Sequence, residues 1–459
     1  MALGRWLVVL GLLAAACGHS PATSPTDTAS SPTGPTPTTT APTATTPGTS
    51  DIAGTSYRLS ADEVEYVGAF RLPEGDANSD WTFSGYGLTY YPEGDSQAPD
   101  DGFPGSLFGI GHDHHQLVAE VSIPAPANTR DPEALPRAET LQPFADITGG
   151  MFGSELEIPR ADVAYLPALG DQASGKLHFT WGQHFQFEYA PSHGWAELDL
   201  DSPDPAGPWL IGSLTNYVLN DYLFEIPDSW ASVNTTGFRL ATGRFRDGLW
   251  SGLGPALFAI APWQEGNPPA AGARLDEVVT LLLYGENIPG NPEIDISGGH
   301  QMAGFAEPDE WSGAEWLTAG DGSAVAFVGT KALGQAWYGF ANGVVYPTSG
   351  NDDDVYPDVP DWPYDDRGWW SEDIAAQIIL FDPAELALVA RNEMEPWEPQ
   401  PYAVIDITQY MFNPGFDLEN AKRYLVGGVA FDREHGFLYV VERLAVFDGE
   451  SIIHVFSVG

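Results

Sequence analysis

Short apolar runs, separated by turns rich in Gly, Pro and Asp, recur along most of this chain, and no long amphipathic helix interrupts them. The runs fall into a repeated unit. Its first half is a strand holding small residues and an aromatic: GYGLTYYP (85–92), ADVAYLP (161–167), TGFRLATG (236–243), GAEWLTAG (313–320) and GGVAFDRE (427–434). A turn leads to a second strand: SLFGIGH (106–112), KLHFTWG (176–182), ALFAIAP (256–262), AVAFVGT (324–330) and FLYVVER (437–443). VAEVSIP and TLQPFADIT supply outer strands to the first unit, WAELDL and PWLIGSL to the second, IILFDP and YAVIDIT to the fourth. The third unit shows VVTLLLYG but no readable outer strand.

Units start about 75 residues apart, with the fourth stretched by an insertion. Antiparallel four-stranded sheets in series predict an all-β fold, a β-propeller of five blades. The last unit is one strand short after IIHVFSV (452–458), while VEYVGAFRLP (64–73) stands unassigned before the first. Pairing the two predicts a ring closed by an N-terminal strand on the C-terminal blade, which also covers a bare edge. A six-bladed division, with the third and fourth units cut differently, is the alternative.

Upstream the pattern changes. Arg5 precedes an apolar run over residues 6–16 that ends at Cys17. Eleven apolar residues are too few for a bilayer span, which needs about 20, so the run reads as an export signal. Its AAAC end resembles the lipobox of bacterial lipoproteins, which implies cleavage before Cys17 and lipidation of its sulfur. Residues 18–50 are dominated by Thr, Pro and Ser and form no core, so they read as a solvated tether. The expected organisation is a signal peptide over 1–16, a lipidated cysteine and tether over 17–50, and a propeller over 51–459. The protein is thus expected outside the cytoplasm, held to a bacterial membrane by its lipid alone.

Composition narrows the partners. Cys17 is the only cysteine, so no disulfide forms within the chain, and stability must come from a large core. A formal charge of -46, from 64 acidic and 18 basic residues, excludes phosphate-backbone recognition and hence nucleic acid. Such a surface suits solubility, a salty medium or cation binding.

In a propeller, the loops between second and third strands share one face with those linking successive blades, and function is expected there. Six of the ten histidines fall between residues 112 and 193. His112 and His114 are candidate metal ligands, with the Asp113 carboxylate beside them and His184 to complete a shell; these donors suit zinc, iron or manganese. Asp113, Asp162, Glu315 and Glu442 are candidate catalytic carboxylates, of the kind that flank a glycosidic bond in glycoside hydrolases. His115, Gln183, His184, Lys331, Trp337, Tyr338 and Arg443 are candidate ligand-binding residues, with the aromatics as stacking platforms for sugar rings. An insertion over residues 351–370 carries seven aspartates and reads as a lid. Its Asp352, Asp354 and Asp358 offer oxygens to a divalent cation such as calcium.

The turn GGVAFDREHGFLYVVE resembles a blade signature shared by many propeller families. The whole domain is similar to bacterial propeller lipoproteins of uncharacterised activity that carry comparable GHD, GTK and PWEPQPYAV segments. That resemblance implies fold and address alone. The leading expectation is a ligand-binding propeller whose loop face takes an extracellular carbohydrate. The alternatives are a glycoside or ester hydrolase, metal-assisted or not, and a ring that only docks a partner.

Overall fold

The predicted alternation becomes five antiparallel sheets in a computed structural model of the chain. The structure describes residues 57–98, 101–153, 160–183, 186, 189–245, 249–348, 351, 353–420, 422–446 and 449–459. The expected signal peptide, Cys17 and the tether lie outside the described residues.

The chain enters through β1 (Tyr57–Arg58) and β2 (Val64–Arg71). Blade one is β3 (Leu88–Tyr91), β4 (Ser106–Ile110), β5 (Val118–Ser122) and β6 (Thr140–Ala145). Blade two is β7 (Arg160–Leu166), β8 (Lys176–Gly182), β9 (His193–Ala196) and β10 (Ala206–Ile211). Blade three begins with β11 (Tyr222–Glu225) and, after helix α1 (Asp228–Asn234), continues through β12 (Leu240–Arg244) and β13 (Ala256–Ile260). The short β14 (Arg274–Leu275) pairs in parallel with β10 before β15 (Val279–Leu282) completes blade three. Blade four is β16 (Glu310–Ala319), β17 (Gly322–Phe340), β18 (Arg367–Phe381) and, after α2 (Pro383–Ala390), β19 (Ala403–Asp406). β20 (Val426–Asp432), β21 (Phe437–Glu442) and β22 (Ile452–Val458) make blade five.

Its fourth strand is β2, antiparallel to β22 from Val64 opposite Val458 to Arg71 opposite Ile452. This is the closure expected from the sequence, and the fold is a five-bladed β-propeller. Blade three corrects one assignment. The strands read as its first and second are its second and third, and the strand that escaped notice is the innermost, β11, not an outer one.

Hydrophobic cores lie between blades, which is why the strands read as apolar on both faces. In β21, Leu438 and Val440 pack toward blade four, while Tyr439 and Val441 pack toward blade one. Phe108 and Ile110 meet Val163, Leu177 and Phe179 between blades one and two, and one larger core joins blades two, three and four.

At the axis the inner strands crowd together. A Cβ on Gly427 would stand 1.8 Å from the Gly85 carbonyl oxygen, and one on Gly313 2.7 Å from that of Gly427. Only glycine permits those approaches.

Candidate functional site

Two carboxylates tie the innermost strands of all five blades. Asp162, on β7, accepts the amides of Val163 at 2.8 Å, Leu88 of blade one at 3.2 Å and Leu223 of blade three at 2.7 Å. Glu315, on β16, accepts the Trp316 amide at 3.1 Å and feels the Phe431 amide of blade five. Burial raises both carboxyls: Asp162 well above the usual carboxylate range despite its three donors, Glu315 up to about 8. Proposed from sequence as catalytic acids, they sit inside the ring as fasteners.

Toward the loop face charged side chains gather between the inner strands. Arg160, first residue of β7, meets Glu310, first of β16, through two contacts of 2.8 and 3.0 Å. Asp221 lies 3.9 Å from both Arg160 and Arg244. The guanidinium of Arg160 stacks over Tyr86 at 4.9 Å, and that of Arg443 over the same ring at 4.0 Å while donating to its hydroxyl at 2.7 Å. Lys331 is committed to the buried Asp309, at 2.7 and 2.9 Å. All these side chains are buried or nearly so.

Glu442 is likewise spoken for. It is fully buried, accepts the Phe412 and Asn413 amides at 2.8 and 2.7 Å and His454 Nε2 at 2.9 Å, and pins the segment before β20 to blade five. Lys422 lies 3.9 Å away, and burial lowers its pKa to about 8. The four candidate carboxylates are therefore dispersed: Asp113 on the rim, Asp162 and Glu315 at the axis, Glu442 in a blade wall.

The rim feature is the loop after β4. His112 is anchored by its amide to the Asp80 carbonyl at 2.8 Å, and the turn closes as His115 and Gln116 donate to the His112 carbonyl at 2.9 and 2.8 Å. The turn collects the side chains: Asp113 Oδ1 is 3.3 Å from His112 Nδ1 and 4.0 Å from His114 Nε2. The three donor atoms lie within 4.8 Å of one another, the only such group of three among the described residues. Partial burial lowers the pKa of His112, which favours the neutral ring. His115 turns away to Ser79 Oγ at 3.1 Å, and Gln116 reaches the Trp181 indole of blade two.

Gln183 accepts Arg244 through its carbonyl at 3.3 Å. His184 and Asp352 lie outside the described residues. His178 is fully buried and bonds Gln172 at 2.8 Å.

The insertion of blade four rises from a long hairpin. Strands β17 and β18 continue past the blade to residues 340 and 367, so Trp337, Tyr338, Trp369 and Trp370 belong to an extended ladder. Tyr338 packs on Trp369 at 5.5 Å, and the Arg367 guanidinium covers Tyr346 at 4.3 Å. Beyond this base the tip is bare. Of the eleven exposed large apolar side chains among the described residues, six fall between 345 and 364: Val345, Val355, Tyr356, Val359, Trp362 and Tyr364. Trp362 is 66% exposed and Tyr356 51%.

Sequence reasoning missed Arg160, Asp221, Arg244, Glu310, Asp309 and Tyr86. The available signal was a charge at the start of an inner strand, in a chain with few basic residues. The fold and site together define a closed five-bladed propeller with buried charges at its axis and an outlying histidine turn and aromatic arm. No protein-family model and no curated protein sequence matches the chain.

Proposed function

We propose that the protein is a lipid-anchored, extracytoplasmic propeller that binds carbohydrate through the aromatic arm of blade four and the adjoining loop face. The observation that carries this reading is the concentration of exposed aromatic rings, Tyr356, Trp362 and Tyr364, on one excursion rich in carboxylates. Exposed apolar side chains are ordinary when scattered and informative when gathered. Flat aromatic faces pack on the C–H faces of sugars, while carboxylates such as Asp358 and Asp361 accept hydroxyl protons. The address rests on Arg5, the apolar residues 6–16 and the single cysteine at position 17.

Binding is favoured over catalysis because the carboxylates available for acid and base roles are dispersed, and three of the four are buried. The hydrolase reading draws on one observation, the imidazole–carboxylate cluster of His112, Asp113 and His114. A glycan array probed with the full chain tests the proposal. Hits that disappear with Trp362→Ala are expected; a blank array overturns the carbohydrate reading, and turnover of arrayed glycans replaces it with the hydrolase.

A further inference from the structure

We infer that His112, Asp113 and His114 form a binding site for a divalent transition metal of the zinc class. The inference stands apart from the carbohydrate reading, since it concerns another blade and another chemistry. Its strongest support is a conflict between lone pairs. His112 Nδ1 accepts the backbone amide of His114 at 3.1 Å, so that nitrogen presents its lone pair and not a proton. Asp113 Oδ1 faces it at 3.3 Å, is buried, and has no hydrogen-bond donor. Two acceptors therefore confront each other with nothing between them to be shared. Burying an acceptor without a partner carries a cost, and a cation placed against both atoms removes it.

The spacing suits the ion. Zinc holds nitrogen and oxygen donors at about 2.0–2.2 Å, so neighbouring donors in a tetrahedral shell stand about 3.4 Å apart. The His112–Asp113 separation of 3.3 Å matches. His114 Nε2, at 4.0 Å from the same oxygen, belongs to a side chain 81% exposed, which is free to close the remaining gap. Ion binding at Nδ1 exchanges the His114 amide contact for a metal bond.

Donor chemistry selects the metal class. Two imidazoles and one carboxylate suit zinc and its neighbours, whereas calcium takes 6–8 oxygens. Three protein donors on an accessible turn leave one position open to solvent or to a ligand. The protein's large negative charge raises the local concentration of any cation.

The test uses the full chain and zinc chloride alone. After equilibration and gel filtration, metal analysis should find one zinc per chain, and calorimetry should show binding at least tenfold weaker in Asp113→Asn and in His114→Ala. His435→Ala, far along the sequence and engaged with Asp432, should bind as the parent does. His114 is the most exposed of the three, so its variant keeps the turn intact, and an unchanged circular dichroism spectrum verifies this. Zinc affinity unaltered in both variants, or no metal retained by the parent, overturns the inference.

Discussion

Arg160 opens the second blade and Glu310 the fourth, yet their side chains meet fork to fork at 2.8 and 3.0 Å, over the start of the third. Both are buried, so the pair carries desolvation as well as attraction. Removing one partner strands the other in a dry setting. We expect Arg160→Met or Glu310→Gln to lower unfolding free energy by about 3–5 kcal/mol in denaturant titrations. The double variant Arg160→Met, Glu310→Gln should lose less than the sum of the single changes. Strict additivity would show that the two residues are not coupled.

Asp162 joins three blades through backbone amides, so its loss is expected to be felt across the ring. Asp162→Ala leaves three buried N–H groups without an acceptor, each costing about 1–3 kcal/mol. A fall of at least about 3 kcal/mol is expected in the same titration. A variant as stable as the parent would mean that water replaces the carboxylate.

Glu315 sets a pH window. Its carboxyl, pushed up to about 8 by burial, keeps in the fold a proton that the unfolded chain releases near 4.5. Its contribution to stability is full below that lower value and is lost as pH rises through the higher one. His178 and His193, both pushed down to about 3 by burial from 6.5, act in the opposite sense and cost stability as pH falls below 6.5. Between about 6.5 and 8 the decline is shared by Glu315 and Asp162, whose carboxyl burial raises in the same sense. Glu315 alone should contribute a decline of at most about 1.4 kcal/mol per pH unit there. Urea titrations should show that slope flattened in Glu315→Gln; an unaltered slope would assign the proton elsewhere.

Trp362 offers a clean separation of function from fold. Two-thirds exposed, it should tolerate replacement by alanine with a change of no more than about 0.5 kcal/mol in thermal unfolding. Glycan binding should vanish in the same sample. A large drop in melting temperature would instead make Trp362 a packing residue.

The address has its own check. Cys17→Ser should leave the chain in the soluble fraction and abolish incorporation of labelled palmitate. Membrane retention of the serine variant would point to another mode of attachment.

Much of this architecture was legible because interblade cores demand apolar residues on both faces of each strand. Leu438 to Val441 alternate between two neighbours, so the run stands out from any register. The closing strand was readable for the same reason, Phe70 and Ala69 being fully buried. Blade three was misdivided because α1 separates Tyr222–Glu225 from its hairpin partner, and helix spacing hides a strand pair. The histidine turn was visible since its members are consecutive. The charged cluster was not, since Arg160, Asp221, Arg244 and Glu310 are scattered over 150 positions and only ring geometry gathers them.

The pairing of β2 with β22 has a consequence for biogenesis. The first long strand to be synthesised bridges to residues 127–138 on one edge, but its other edge must wait until the seven residues of the last strand emerge. During that interval the nascent chain carries one open strand edge. Slow translation or crowding would favour docking of one molecule's early strand onto another's late one, yielding exchanged dimers in place of monomers.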